Sequence, residues 1–246
     1  MKVITLVTDI HEHWFVNFMK PTCEFNELDL VTLTPTHYPN HTTRDKILYQ
    51  YLKNIPSHEI VFYTDGYDAI FLGDEVEILE KFHKKNKEIL FSAETNCYPD
   101  QMLSNKYPSS QSPFRFLNGG GFMGRVDSIL KFLEENLETP SIKKFNWSNQ
   151  IYWTEQFLRN MDKIGIDTQC DIFSTLSSPH DISYLNDKKN GYADFDNFVA
   201  LKKRWFKSEF YVEKNRLHVI STGGCPCHVH FNGFSKVLLE DVLSLT

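Results

Sequence analysis

Nowhere in the 246 residues does an apolar run approach the roughly 20 residues a bilayer-crossing helix needs, so no membrane-spanning helix is expected. Positive charge is also short. Lys and Arg total 26 against 32 Asp and Glu, a net charge of −6, which is the opposite of a nucleic-acid-binding footprint. An acidic chain that binds an anion must do so through local lysines or a bound cation. The N-terminal stretch MKVITLVTDIHEH turns polar too soon for a signal-peptide hydrophobic region. A cytoplasmic location is therefore expected (the host cytoplasm if the chain is viral), with the five cysteines reduced. Repeats, low-complexity tracts and interdomain linkers are missing, which points to a single domain over 1–246. G-x-S-x-G, P-loop and kinase signatures are missing too, which removes the commonest hydrolase and phosphotransferase frameworks.

What is present is a core-forming composition, with 41% apolar residues and 14% aromatics, twenty of them Phe. Short β-branched runs at 2–8, 27–35, 59–65 and 88–94 read as buried strands. Helical spacing appears at 43–55, with Thr42 or Thr43 as N-cap, and at 75–86, 126–137 and 149–160. FLNGGGFMGRV (116–126) reads as a glycine-broken strand, and LHVIST and CHVHFNG as short strands or loops. Alternation of strands and helices predicts an α/β fold, with a mostly parallel central sheet flanked by helices on both faces. Ligands in such folds sit at the carboxyl ends of strands.

Asp65 lies at such an end. In VFYTDGYDAIF, Asp65 and Asp68 can both face one hard divalent cation such as Mg²⁺ or Mn²⁺; the plainer alternative is a strand-ending turn. The cluster CPCHVHFNGFSK (225–236) has the residue types of a zinc site. Strand parity argues against one, because Cys225 and Cys227 fall on one face and His228 and His230 on the other. HFNGFSK is the better candidate. His230 can complete a metal site, the Asn232-Gly233 turn lets a phosphate approach backbone N–H groups, and Lys236 supplies a positive charge. NGGGFMG exposes backbone to a close ligand but lacks the Rossmann dinucleotide context. HEH at 11–13 does not converge on a metal and reads as a loop or helix start. Cys23, Cys97 and Cys170 read as packed thiols. The stretch 195–211, mixing lysines with rings, is either a helix packed on the core or a rim meeting an acceptor or a second copy in a homodimer.

Five segments in order resemble the glycosyltransferase domain of the collagen lysyl hydroxylases: VITLVT, FYTDGYDAIFLG, ILFSAETNCYPD, YPSS…FRFLNGGGFMG and HVHFNGFSK. The resemblance implies a GT-A type Rossmann-like fold, a UDP-sugar donor and Mn²⁺. It implies transfer of a hexose, from UDP-glucose first and UDP-galactose second, to hydroxylysine or galactosylhydroxylysine of a collagen-like polypeptide. Carried over by position, Asp65, Asp68 and His230 match metal ligands, and Thr8 and Tyr67 lie near the nucleotide. Lys46 and Lys236 match lysines of the donor region, with Asn232 and Gly233 beside the diphosphate. Asn118 and the following glycines, Gly120 among them, match the sugar-facing loop, and Asn149 and Gln150 the helix start that faces the reaction.

The chain departs from that family in places. Tyr98 stands where the family has Trp, Gly119 where it has Ser, and Ser148-Asn149 where it has an acidic run. Asn149 can hydrogen-bond a sugar hydroxyl but carries no negative charge. A non-collagen acceptor, or a catalytically weak UDP-sugar binding module, are the alternatives these changes leave.

Overall fold

The computed structural model describes residues 1–138 and 147–243. Its centre is a six-stranded sheet in the order β2-β1-β3-β6-β5-β7. The strands are β1 Lys2–Leu6, β2 Asp29–Leu33, β3 Ile60–Asp65, β5 Ile89–Glu94, β6 Phe116–Arg125 and β7 Ile164–Ile166. The pairings of β1 with β2 and β3, and of β5 with β7, are parallel, whereas β6 runs antiparallel to both neighbours. The sheet is thus mostly parallel, as expected, with one reversed central strand. A three-stranded sheet lies against it: β4 Ala69–Phe71, β11 His228–His230 and β8 Phe173–Thr175, with β11 in the middle. A hairpin of β9 Phe210–Glu213 and β10 Arg216–Val219 completes the strands.

The central strands carry apolar side chains on both faces, and that dictates helices on both faces. On one face Tyr63, Phe91 and Phe122 pack on Leu48 of α2 (Thr42–Leu52), Phe132 of α4 (Val126–Glu138) and Trp153 of α5 (Asn149–Arg159). On the other, Phe62 and Met123 pack with Ile78 of α3 (Glu75–Lys85), Phe206 of α7 (Phe195–Glu209) and Phe71 and Phe173 of the small sheet. A π-helical turn (Phe15–Met19) leads into α1 (Lys20–Phe25), and α6 (His180–Asn190) and α8 (Leu239–Leu243) complete the α-helices among the described residues, beside short 3₁₀ turns at Gln101–Lys106 and Ser235–Leu238. HEH leads into the first of these, a helix start rather than a metal site.

Local chemistry sets the helix ends. Asp74 caps α3 by accepting from the Glu77 N–H at 2.9 Å, and Asn86 ends the helix in the left-handed region, φ 49°. For α2 the expected Thr42 or Thr43 cap gives way to Asn40. Its Oδ1 accepts from the Thr42 N–H at 3.2 Å and from the Thr42 hydroxyl at 2.6 Å. The 195–211 stretch is a helix for most of its length, with Phe198, Lys202 and Phe206 buried, so the core-packed alternative is the one observed. Among the described residues no helix is long and apolar enough to cross a membrane.

β6 is not broken by its glycines. Phe91 faces Phe122 while the next residue of β5, Ser92, faces Asn118, so Gly119–Gly121 bulge out of the β5 ladder. Gly121 still pairs with Thr64 of β3. The bulge lies at the carboxyl edge of β3 and β5, where the site is built.

Candidate active site

Four sheet positions converge at this edge. β3 ends at Asp65 and β5 at Glu94. β6, reversed, begins there and presents Asn118 near its start, and β11 ends at His230 beside β4, which Asp68 precedes. The Phe231 N–H donates to the Asp68 carbonyl at 2.7 Å, tying the two loops together.

Asp65, Asp68 and His230 each offer one ligand atom, and these atoms lie within 4.8 Å of one another. His230 Nε2 is 3.2 Å from Asp68 Oδ1 and 3.8 Å from Asp65 Oδ2. Burial pushes the Asp65 pKa up; the His230 and Arg44 charges oppose this and Asp68 adds to it, leaving a net rise. Burial works against a proton on His230, yet Asp68 and Asp65 outweigh it and raise its pKa. Both directions say that the cluster calls for positive charge. Two carboxylates and an imidazole on a rigid strand end make a donor set that fits a divalent cation such as Mn²⁺. Gly120 makes the cluster possible: a Cβ there would lie 2.1 Å from His230 Cε1 and 2.8 Å from Asp65 Oδ2.

His228 shares the β11 face of His230 but serves the core. Its ring packs among Phe62, Phe71 and Phe173, its Nε2 lies 2.7 Å from Thr64 Oγ1, and burial drives its pKa well down, so it is neutral. Cys227 is buried with its thiol pushed up to about 12, and its sulfur lies 3.4 Å from Lys81 Nζ. The residues from Cys225 to His230 form no metal cluster of their own among the described residues. Cys23, Cys97 and Cys170 are buried free thiols, as expected.

Two cavities meet at the cluster. The smaller, about 220 Å³, is lined by Thr8, Pro35, Tyr38, Gly66 and Tyr67. Tyr67 reaches the tip of β1, where its hydroxyl accepts from the Asp9 N–H at 2.6 Å and lies 3.1 Å from Thr8 Oγ1. The larger, about 460 Å³, holds Glu94, Asn118, Gly120, Asn149, Gln150, Asn232 and Gly233, with Tyr98 and Trp147 among its lining. His41, Asp65 and Asp68 line both.

Asn118, Asn149 and Gln150 are all in the larger cavity. Asn118 Oδ1 lies 3.2 Å from His230 Nδ1 and accepts from the Gly120 N–H at 3.0 Å. Gln150 accepts from the Gly119 N–H at 2.9 Å and donates to Glu94 at 2.8 Å. The Asn149 amide is turned toward α2, donating to Asp45 Oδ1 and the His41 carbonyl, both at 3.1 Å. Gly233, at φ 61°, makes the expected turn. Two lysines lie elsewhere. Lys46 is exposed and lines neither cavity, because it follows Arg44 and Asp45 around α2 onto the outer face. Lys236 is exposed, outside the lining of both cavities, with its ammonium 5.1 Å from the centre of the Trp14 ring.

Three charged groups escaped the sequence reading. Glu94 ends a buried strand at the same edge as Asp65, so the strand-end position that singles out Asp65 is the signal that also marks Glu94. It is 4% exposed, accepts from Asn118 and Gln150, and burial lifts its pKa to about 7. Arg44 points into the larger cavity where Lys46 had been expected. Asp181 of α6 also lines it, held by Lys202 of α7 at 2.7 and 2.9 Å in a buried ion pair. No local pattern marks that pairing.

Comparison with known proteins identifies the family. The family profile described as the PLOD GT domain matches residues 42–244. Procollagen-lysine,2-oxoglutarate 5-dioxygenase 2 of Homo sapiens is 32% identical over 186 residues, 74% of this chain and 21% of that protein. The Drosophila melanogaster procollagen-lysine,2-oxoglutarate 5-dioxygenase is 31% identical over 191 residues, 76% and 23% of the two chains. An uncharacterised protein of Acanthamoeba polyphaga mimivirus is 26% identical over 191 residues, 77% of this chain and 34% of that one. The chain spans less than a quarter of the two animal proteins. Fold and profile match agree: the chain belongs to the PLOD GT domain family, a glycosyltransferase domain of the GT-A type related to the lysyl hydroxylases.

Proposed function

We propose that this chain transfers a hexose from a UDP-sugar, with Mn²⁺ as cofactor, to hydroxylysine or galactosylhydroxylysine in a collagen-like polypeptide. UDP-glucose is the favoured donor and UDP-galactose the second. The observation that carries this reading is the convergence of Asp65, Asp68 and His230 within 4.8 Å at the junction of two cavities. The smaller cavity, walled by Tyr67 and Thr8 and bordering the cluster, is the place this reading gives the nucleoside. The larger has the polar lining a sugar and an acceptor side chain need.

Asp65, Asp68 and His230 would hold the cation, which when bound neutralises the diphosphate and the charge that develops on UDP as the glycosidic bond breaks. Asn118, braced between His230 and Glu94, fixes the imidazole and faces the sugar. Gln150 clamps the Gly119–Gly120 bulge against Glu94, so the wall beside the sugar is rigid. Glu94 is the buried carboxyl best placed to meet the acceptor, either its hydroxyl or the amine of hydroxylysine. Asn232 and Gly233 line the same cavity as Asn149 and Gln150.

The test is UDP release from a panel of UDP-sugars, with Mn²⁺ and with EDTA, followed by addition of collagen-like peptides with and without hydroxylysine. Release that needs both Mn²⁺ and a hydroxylysine peptide is expected, and Asp68→Ala should abolish it. Release indifferent to EDTA would remove the metal from the reaction. Transfer equally good to peptides lacking hydroxylysine would remove the acceptor.

A further inference from the structure

Arg44, in the first turn of α2, is only 3% exposed yet lines the larger cavity. Its guanidinium is fixed from several sides. Nε donates to Asp45 Oδ1 at 3.0 Å, Nη1 donates to the Gly119 carbonyl, and the plane lies over the Tyr63 ring, 4.8 Å from its centre. Asp45 is itself held in place, accepting from Asn149 at 3.1 Å and Asn136 at 2.7 Å, which keeps it against the guanidinium. The remaining nitrogen, Nη2, is buried and has no hydrogen-bond partner.

A buried donor left without an acceptor is costly and rare in a folded protein, so the geometry asks what the missing acceptor is. The fixed fork allows little rotation, and the lining it joins is that of Gly119, Gly120 and Gln150. Asp45 already balances the positive charge, which leaves a directional N–H more than an unspent charge. Such a donor suits a neutral hydroxyl. The diphosphate would find its counter-charge in the cation that Asp65, Asp68 and His230 would hold, on the border with the smaller cavity. Asn232 of the same cavity is a weaker candidate: its buried Oδ1 also has no partner, but the side chain is only half-buried.

We propose that Arg44 Nη2 donates a hydrogen bond to a hydroxyl of the donor hexose, making Arg44 a sugar-binding residue that helps decide which hexose is accepted. The inference rests on the UDP-sugar reading above. The test is calorimetry in Mn²⁺ with three probes, UDP, UDP-glucose and UDP-galactose, on the wild type and Arg44→Lys. The lysine keeps a charge beside Asp45 but loses the planar fork. UDP affinity should stay within about twofold, while affinity for the accepted UDP-hexose should fall on the order of 10- to 100-fold, as for loss of a hydrogen bond to a charged group. Equal affinity of both proteins for the UDP-hexose would overturn the proposal. So would parallel losses for UDP and UDP-hexose, which would put Arg44 on the diphosphate instead.

The wild-type half of a second measurement does not depend on the variant folding. Among UDP-hexoses lacking one hydroxyl, one should bind the wild type about 10- to 100-fold more weakly, and Arg44→Lys should lose nothing further with that donor. Uniform binding of every deoxy donor to the wild type would overturn the proposal. A wild type that binds no UDP in Mn²⁺ would overturn the donor reading itself, and this inference with it.

Discussion

Replacing Gly120 by alanine tests the construction of the cluster directly. Nothing in the backbone forbids alanine there, since Gly120 is not among the glycines with positive φ. The obstacle is the neighbour. The new methyl would lie 2.1 Å from His230 Cε1, 2.7 Å from His230 Nδ1 and 2.8 Å from Asp65 Oδ2. To reach the 3.4 Å of ordinary contact the imidazole must retreat by about 1.3 Å. His230 is 2% exposed and held between Asn118 and Asp68, so such a movement breaks both contacts. Metal–ligand distances tolerate only about 0.2 Å, so the imidazole is lost to the cation. Disturbing even the partners of metal ligands weakens binding by about 10- to 100-fold, and losing a ligand should cost at least that. Overpacking should also cost stability, about 1–3 kcal/mol. The assay is a Mn²⁺ titration followed by calorimetry or electron paramagnetic resonance, together with UDP release and a melting curve. Gly119→Ala is the comparator, because its nearest neighbour, Gln150 Cβ, is 3.3 Å away and can give. A folded Gly120→Ala protein with wild-type Mn²⁺ affinity would refute the reasoning, and with it the claim that His230 lies in the cation's coordination shell.

Other perturbations should be as readable. Glu94 holds its proton more tightly folded, at about 7, than the 4.5 of an ordinary glutamate, so its contribution to stability is full below pH 4.5 and is lost as pH rises to about 7. Ionised at pH 8 it costs about 3 kcal/mol, so Glu94→Gln should melt higher than the wild type at pH 8 and show little gain at pH 4.5, while transfer activity falls. A pH-independent difference in melting would contradict the assignment. Lys202→Met leaves Asp181 buried without its ion partner; a loss of about 3 kcal/mol, or roughly 6–12 °C in melting temperature, is expected, and an unchanged melt would mean the pair carries no net stability. Tyr67→Phe removes the hydroxyl that joins Thr8 and Asp9 across the smaller cavity. UDP affinity should weaken several-fold, by about 1 kcal/mol, in a calorimetric titration, and unaltered affinity would take the nucleoside out of that cavity.

Four strands of the large sheet, β1, β2, β3 and β5, were legible as short β-branched or apolar runs, whereas β7, the three residues Ile164–Ile166, was not read at all. The three-stranded sheet was not legible as a sheet. Its members are three residues long, too short for any periodicity, and Ala69–Phe71 reads as the tail of the DGYD turn. The glycines of β6 were read as a break because a sequence shows their weakness as strand formers but not the bulge that uses it. Asp65, Asp68 and His230 were legible as candidates, two from spacing at a strand end and one from the HFNGFSK segment and its resemblance to the family motif. Lys46 against Arg44 is a matter of helix rotation: two residues along α2 turn a side chain by roughly 200°, from the cavity to solvent. The resemblance by segment order could not resolve that. Asp181 with Lys202 joins two helices 21 residues apart, which no local pattern reveals.

The reversed central strand also bears on the order in which the chain can fold. β3 and β5 are both made before β6, and both lie beside the slot it will occupy. Until residue 125 is available, each has a bare row of N–H and C=O groups along that side, pointing the same way. A growing or truncated chain can bring those two edges together directly, as a parallel pair that has to open again before β6 enters. The strand whose start lines the catalytic cavity is thus also the wedge that makes the sheet whole, and any fragment ending before it should behave as a sticky, misregistered precursor rather than as a smaller version of the same domain.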